Sequence, residues 1–327
     1  MRIKRKGGFL LKSDFKQIIQ EICNEENIKY KFLSKEWVIM LEKDGKTKFV
    51  SGHKFDLNEQ GIGLVADDKF ALYEVLSEKK IPIIEHKIVY SKTNKQDYAV
   101  GCNTYEYVKE YFIKNNNSIV IKPNDGTCGK NVFHITNLDE VDIILDKEFA
   151  SNYSISICPF YNIKHEYRVI MLDKEPQLLY AKYLPIVKGD GKKTIRELLV
   201  EFNHGYFIDK LEDSKYDKIL AENEEFQYNW KFNLSQGSIA KKVDDNILSE
   251  KIINLARRVC DEINIKFGSV DIIQTSNDDL LVLEVNSGVM MDNYIRLMPD
   301  GYITTKRVYK NAIEKLFGQG DGSFVQK

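Results

Sequence analysis

Apolar residues recur at helical spacing along SDFKQIIQEICNEEN, residues 13 to 27, and the Ser-Asp start in front of them predicts a helix. The next patterned stretch, KEWVIMLEKDGKTKFVSG, predicts two short strands about an Asp44-Gly45 turn, so the first 66 residues read as a small α/β unit. From Asp68 the helical pattern returns in DKFALYEVLSEKK and stops before Pro82; IPIIEHKIVY then reads as a strand. A helix over about 103–114, the strand SIVIK, a glycine-containing loop, the strand NVFHI and a helix beginning after TNLDE follow. SISICPFY, HEYRVIMLD and QLLYAKYLPIV predict three further strands, the last leading into the turn KGDGKK. Thr194 and Glu197 have the spacing of a capping box, which predicts that TIRELLVEFN is a helix. Residues 209 to 245 are polar and weakly patterned. Beyond them Ile252, Ala256, Val259 and Ile263 form one helical stripe, SVDIIQTSNDDLLVLEVNSG reads as a hairpin, and a last helix covers about 302–317 before a glycine-rich tail.

Composition narrows the function classes. The 327 residues carry a formal net charge of -1 with both signs interspersed, so no global field recruits nucleic acid or an anionic membrane. Cys23, Cys102, Cys128, Cys158 and Cys260 are odd in number, scattered and without a CxxC pair, which argues against a disulfide framework and against a zinc site. The basic start MRIKRK precedes an apolar run too short for a signal peptide, and no run approaches the roughly 20 apolar residues of a membrane helix. A cytoplasmic protein without nucleic-acid or membrane partners is expected.

The loop in IVIKPNDGTCGKNVFHI has a lysine before it, glycines inside it and a lysine behind. It is not the phosphate loop of nucleoside triphosphatases, because Gly126 and Gly129 enclose two residues rather than four and a strand follows. The helix required by the dinucleotide fingerprint is also missing. Two readings stand: an exposed hairpin tip with a lysine beside it, or backbone N–H groups folding over phosphate oxygens with Lys122 as the fixed positive charge.

In the late hairpin, a central turn pair at Asn277-Asp278 sets Asp271 directly opposite Glu284. Opposed like charges lie about 4.5–5.5 Å apart at Cβ and destabilise a sheet unless something compensates. Asn286 points to the same side as Glu284, and two carboxylates with an amide oxygen are the ligands magnesium prefers. Ile272, Leu283 and Val285 would then face the core. A different register, or two acids simply facing water, is the alternative. Together, a lysine-glycine loop and a distant acidic hairpin suggest ATP held between two lobes.

These residues resemble the ATP-grasp superfamily, in its glutathione-synthetase, ribosomal-protein-S6-modification and cyanophycin-synthetase branch, from about Asp68 to Leu316. DKFALYEVLSEKKIPIIEH, IVIKPNDGTCGKNV, HEYRVIML and VDII with LEVNSG carry the resemblance in order, and VKGDGKKTIRELL is like the cyanophycin-synthetase version. The resemblance implies an α/β (α+β) ATP-grasp fold: a small N-terminal unit over 1–66, a first lobe with the glycine loop over 67–160, and a second lobe with the metal hairpin over 161–327. It implies that Lys69 and Lys122 hold ATP phosphates, that Gly126 and Gly129 form a lid tip, and that CPFY, with Phe160, is the adenine hinge. Glu166 falls near the ribose or a neighbouring polar site. Arg168 and Lys182 reach the transferred phosphate, Asn233 lies in the catalytic segment with Lys231 and Gly237, and Asp271, Glu284 and Asn286 bind magnesium. Cys158, Lys231 and NSGVMMD depart from the family pattern of a hinge glutamate, an arginine and an NxxPG segment.

The implied activity is an ATP-dependent carboxylate-amine ligase, with ATP and two magnesium ions, manganese serving as a substitute. Its substrate would be an amino acid, a peptide or a peptide-like metabolite, and a homodimer is the base-rate assembly. The length of the leading unit suggests an open acceptor site. A non-catalytic ATP-binding module and a phosphotransferase are the rival readings.

Overall fold

Helix α1 (Ser13–Glu25) buries Phe15, Ile18, Ile19, Ile22 and Cys23, the stripe its periodicity predicts. These side chains meet an antiparallel sheet of β1 (Lys29–Leu33), β2 (Val38–Lys43), β3 (Lys46–Ser51) and β4 (Lys54–Phe55). Asp44 and Gly45 both have positive φ, 51° and 73°, as the two central residues of a tight hairpin require. The computed structural model describes residues 13–91, 105–126, 129–203 and 211–318. The start of the chain, the beginning of the helix expected from residue 103, Cys102, Cys128 and the glycine-rich tail lie outside them.

Helices α2 (Gln60–Asp67) and α3 (Lys69–Glu78) come next, and the Asp68 carboxylate caps α3 by accepting from the Ala71 N–H at 2.8 Å. The strand expected over IPIIEHKIVY is shorter than the pattern suggests, with β5 covering only Lys87–Tyr90. Pro82 has no N–H to donate, and the segment before β5 bridges to a different sheet: Val282 N–H donates to the Pro82 carbonyl at 2.8 Å and Ile84 N–H to the Val282 carbonyl at 3.0 Å. Beyond it lie α4 (Tyr105–Lys114), β6 (Ile119–Pro123), β7 (Phe133–Ile135), α5 (Asp139–Phe149) and β8 (Ser154–Pro159). Strands β5, β8, β6 and β7 make one sheet in that order, with α4 and α5 packed on one face.

The second large sheet holds β9 (Ile163–Leu172), β10 (Glu175–Tyr183), β13 (Ile239–Lys241), β14 (Phe267–Thr275) and β15 (Leu280–Asn286), in the order β13-β10-β9-β14-β15. QLLYAKYLPIV does not continue as one strand: β10 ends before Pro185, and β11 (Ile186–Lys188) leaves to pair with β12 (Glu225–Gln227). Between them α6 (Ile195–Phe202) starts with the predicted capping box, Thr194 and Glu197 each satisfying the other's backbone N–H. The weakly patterned stretch before α7 therefore contains the short strands β12 and β13 and two single 3₁₀ turns among its described residues.

Helix α7 (Asn246–Ile263) buries Ile252, Ala256, Val259 and Ile263 against the second sheet, each large side chain contributing about 1.5–3 kcal/mol. Helices α8 (Asp292–Leu297) and α9 (Gly301–Leu316) end the described chain. Val308, Tyr309, Ala312 and Ile313 of α9 share one core with α1 and the N-terminal sheet. No helix among the described residues is long and apolar enough to cross a membrane.

Candidate active site

A cavity of about 450 Å³ opens between the two large sheets. Its inner end is apolar. Val120 and Cys158 are register partners on β6 and β8; with Ile84 and Ile273 they form a buried floor, beside half-buried Phe160, Tyr161, Ile163, Trp230 and Leu283. Alternation along β6 sends Val120 and Lys122 to the cavity while Ile119 and Ile121 enter the core under α4 and α5. Phe160 stacks on His134 with ring centroids 3.7 Å apart, and Trp230 meets both rings edge-on.

The middle of the cavity is charged, and sheet register builds it. Asp271 pairs with Glu284 on one side and with Arg168 on the other, while Arg168 pairs in turn with Tyr180. Four adjacent strands thus present a row of Tyr180, Arg168, Asp271 and Glu284. The two opposed acids are therefore compensated from within the sheet. Arg168 grips Asp271 with two hydrogen bonds, Nε to Oδ1 at 2.6 Å and Nη2 to Oδ2, and approaches Glu284 at 4.0 Å. Lys182, which pairs with Glu166, hydrogen bonds to that carboxylate and reaches Asp271 Oδ2 at 3.1 Å.

Arg168 and Lys182 thus face the carboxyl groups of Glu166, Asp271 and Glu284, and Lys69 is a further positive charge near Glu284. Burial raises the Glu166 carboxyl to about 7, with Lys182 pulling it down less than burial pushes it up. Burial also opposes ionisation of Asp271, but Arg168 and Lys182 outweigh it and hold that carboxyl well below its ordinary value. Lys182 remains charged, its pKa raised because Asp271 and Glu166 together outweigh burial and the nearby Arg168.

No family model matches the chain. The cyanophycin synthetase of Trichormus variabilis is 25% identical over 250 residues, covering 68% of this chain and 26% of that protein. A cyanophycin synthetase of a Nostoc species is 24% identical over the same length. The chain spans about a quarter of the length of these curated relatives. Among solved structures, a bifunctional glutathione synthetase from Pasteurella multocida superposes with a TM-score of 0.57 at 17% identity, over 94% of this chain and 43% of that one. A D-alanine–D-alanine ligase from Bacillus anthracis superposes with a TM-score of 0.50 at 12% identity, over 78% of this chain and 70% of that one.

The chain has the ATP-grasp fold.

Lys69, Lys122, Gly126, Gly129, Phe160, Glu166, Arg168, Lys182, Asn233, Glu284 and Asn286, all singled out from the sequence, line the ATP-grasp cavity. Asp271 is behind its wall, buried beneath Arg168 and Lys182. Lys69 points its ammonium at the glycine loop, donating to the carbonyls of Gly126 at 2.8 Å and Asn124 at 3.2 Å. At the other end of that loop, the Gly129 carbonyl accepts from Gln236 Nε2 at 3.0 Å and Lys231 Nζ at 3.4 Å. Gly129 has φ +63°, and a Cβ there would lie 2.6 Å from Asn233 Nδ2, so the position needs glycine. Gly237 does not line the cavity; it ends a 3₁₀ turn, and its carbonyl accepts from Asn203.

The hairpin differs from its expected form beyond Asp271. The ladder shifts by one residue there, so Ile272 pairs with Val282 and the tight Asn277-Asp278 turn gives way to a wider loop. That bulge brings Leu283 to the cavity beside Ile273, whereas Ile272 and Val285 enter the core as expected.

The far end of the cavity was not legible in the sequence. Trp37, Ser51, His53 and Lys54 of the N-terminal unit line it together with Gly288, Met290, Asn293 and Tyr294. Val289 N–H donates to the His53 carbonyl at 3.0 Å, docking the β3–β4 turn on the segment after the hairpin. His53 Nε2 lies 3.5 Å from Asp292 Oδ2, and Lys54 pairs with Asp67. No local spacing signals this contact, which joins residues far apart in the chain; Asn58 ties the same unit to the β14–β15 hairpin by donating to the Phe267 carbonyl at 2.6 Å and accepting from the Lys266 N–H at 2.8 Å. Among the described residues no group of three or more His, Cys, Asp or Glu side chains is arranged to hold a metal ion.

Proposed function

We propose that the protein is an ATP-dependent carboxylate-amine ligase forming a peptide or isopeptide bond, with an amino acid, a peptide or a peptide-like metabolite as substrate. The observation that carries this reading is that Arg168 and Glu284, set side by side with buried Asp271 by sheet register, line the same cavity as Lys182, Lys122 and an apolar slot. The slot, with Phe160 at its edge, suits a flat base, and the charged middle suits a polyphosphate.

The donor set fits magnesium. Glu284 and Asn286 offer hard oxygen ligands at the cavity wall, and Asp271, its carboxylate held by Arg168 and Lys182, stands behind them. Magnesium held there would neutralise phosphate oxygens. In the proposed reaction a substrate carboxylate oxygen bonds to the γ-phosphorus of ATP while the bond to the β-bridging oxygen breaks, giving ADP and an acyl phosphate. An amine nitrogen then attacks the acyl carbon, phosphate leaves, and the nitrogen loses a proton.

Phosphoryl transfer needs positioning and neutralisation of spreading charge more than covalent help. Lys122 and Arg168 supply fixed positive charge, and Lys182 keeps Asp271 ionised and in place. Lys69 acts through the glycine loop, whose carbonyls it holds. Excluding water from the cavity would protect the acyl phosphate from hydrolysis.

The test is magnesium-dependent ADP release from the purified protein, offered pools of amino acids and small carboxylates with and without amines, with Glu284→Ala as control. ADP that requires a carboxylate, together with a hydroxamate when hydroxylamine is the amine, supports the ligase. ADP with a stable phosphorylated product points to a phosphotransferase. Tight ATP binding without turnover on any pool, peptides included, refutes the ligase reading in favour of a binding module.

A further inference from the structure

Strands β11 and β12 and helix α6 enclose a small core of their own, with Val187, Ile195, Leu199, Leu211 and Leu220 buried in it. Where this unit meets the mouth of the ATP-grasp cavity there is a second hollow of about 540 Å³. Tyr216, Tyr228, Asn229 and Gln236 line it, together with Trp230, Lys231 and Ser235, and these last three also line the main cavity. The two spaces therefore share a wall.

The chemistry of the second hollow is selective. Tyr216 and Tyr228 have ring centroids 6.1 Å apart, and Trp230 adds a third ring. The remaining lining side chains are two amides and a hydroxyl, with Lys231 as the one charged group among them. A single ammonium is too little for a polyphosphate, and the amides are too polar for a hydrocarbon chain. Asn229 already accepts from the Lys231 N–H at 2.5 Å and donates to the Gln236 carbonyl at 2.9 Å, and Ser235 Oγ donates to Asn233 Oδ1 at 2.7 Å. That leaves the second amide proton and second oxygen lone pair of Asn229 and the hydroxyl lone pairs of Ser235 for peptide groups lying flat on the aromatic faces. The floor also reaches the glycine loop, because Gln236 and Lys231 are the side chains that donate to the Gly129 carbonyl.

We propose that this hollow is a second substrate subsite, taking the amide-rich chain that trails from the reacting end of a peptide substrate, with Gln236 and Lys231 linking its occupancy to the glycine loop. The proposal rests on the ligase reading and extends it: the enzyme would prefer a peptide to a free amino acid.

The experiment compares wild type with Tyr228→Ala, Tyr216→Ala and the conservative Tyr228→Phe. The substrate found by ADP release is offered as a free amino acid and as the reacting end residue of a tetrapeptide. The expected result is a loss of about tenfold in kcat/KM for the tetrapeptide in both alanine variants, less than about twofold for the free amino acid, and rescue by Tyr228→Phe. Equal losses on both substrates, or none on either, would overturn the subsite while leaving the ligase intact. If no pool releases ADP, the ligase reading fails separately. The hollow is then tested by titrating tetra-alanine into a Trp37→Phe background, in which Trp230 is the remaining tryptophan. Saturable quenching that Tyr228→Ala weakens supports a peptide subsite; unchanged or absent quenching overturns it.

Discussion

Replacing Glu166 by Gln should change how stability depends on pH. Glu166 is a buried carboxyl whose neighbours, Asp271 and Glu284, are also acidic, and it shares Lys182 with Asp271. Its pKa rises from 4.5 to about 7 on folding, chiefly through burial. The folded state therefore binds more protons than the unfolded state between these values, and stability falls as pH rises through that window. Above about pH 7 both states have lost the proton, and the penalty is constant. One pKa unit corresponds to about 1.4 kcal/mol, so the fall amounts to roughly 3 kcal/mol at most. Asp271 acts in the opposite sense, its depressed carboxyl contributing stability that is lost only as pH drops below its ordinary range, outside the Glu166 window. Glutamine keeps the shape and a hydrogen-bond acceptor for Lys182 but has no proton to lose. Urea unfolding of both proteins at pH 4.5, 5.5, 6.5 and 7.5 reads the difference directly. The wild type should lose stability relative to Glu166→Gln as pH rises, with the curve flattening above 7. Parallel curves for the two proteins would refute the assignment of a raised carboxyl at Glu166.

Three other variants test separate links. Gly129→Ala forces a side chain into a left-handed backbone against Asn233, so it should lower stability by about 1–2 kcal/mol in urea unfolding and raise the KM for ATP. Glu284→Ala should raise the magnesium concentration for half-maximal ADP release by roughly 10- to 100-fold while ATP still binds, as isothermal titration would show. Thr194→Ala breaks the capping box of α6 and should lower stability by about 1 kcal/mol in thermal unfolding, leaving ADP release on small substrates unchanged.

Much of the local architecture was written in short stretches of sequence. The Asp44-Gly45 hairpin, the Thr194-Glu197 box and the stripe from Ile252 to Ile263 each depend on residues a few positions apart, whose spacing and backbone preference survive whatever surrounds them. The opposition of Asp271 and Glu284 was legible for the same reason, since a hairpin pairs its own two strands. The bulge just beyond it was not: it brings Leu283 to the cavity, and no residue type in LLVLEV announces it.

Tertiary structure decided what makes the acids tolerable and what lines the cavity. Arg168 compensates Asp271 because β9 lies beside β14, two strands about a hundred residues apart whose pairing depends on the whole sheet. Phe160, His134 and Trp230 come together from three separate segments, and Trp37 and His53 reach the cavity through a shared core with α9 and through backbone and Asn58 contacts to the hairpin region. Periodicity and capping are properties of a segment and its immediate neighbours, so the sequence alone determined the elements and the residue types of the charged centre. Partners brought together across sheets owe their contact to burial of apolar surface elsewhere, which has no direction along the chain, and the folded structure alone decided them.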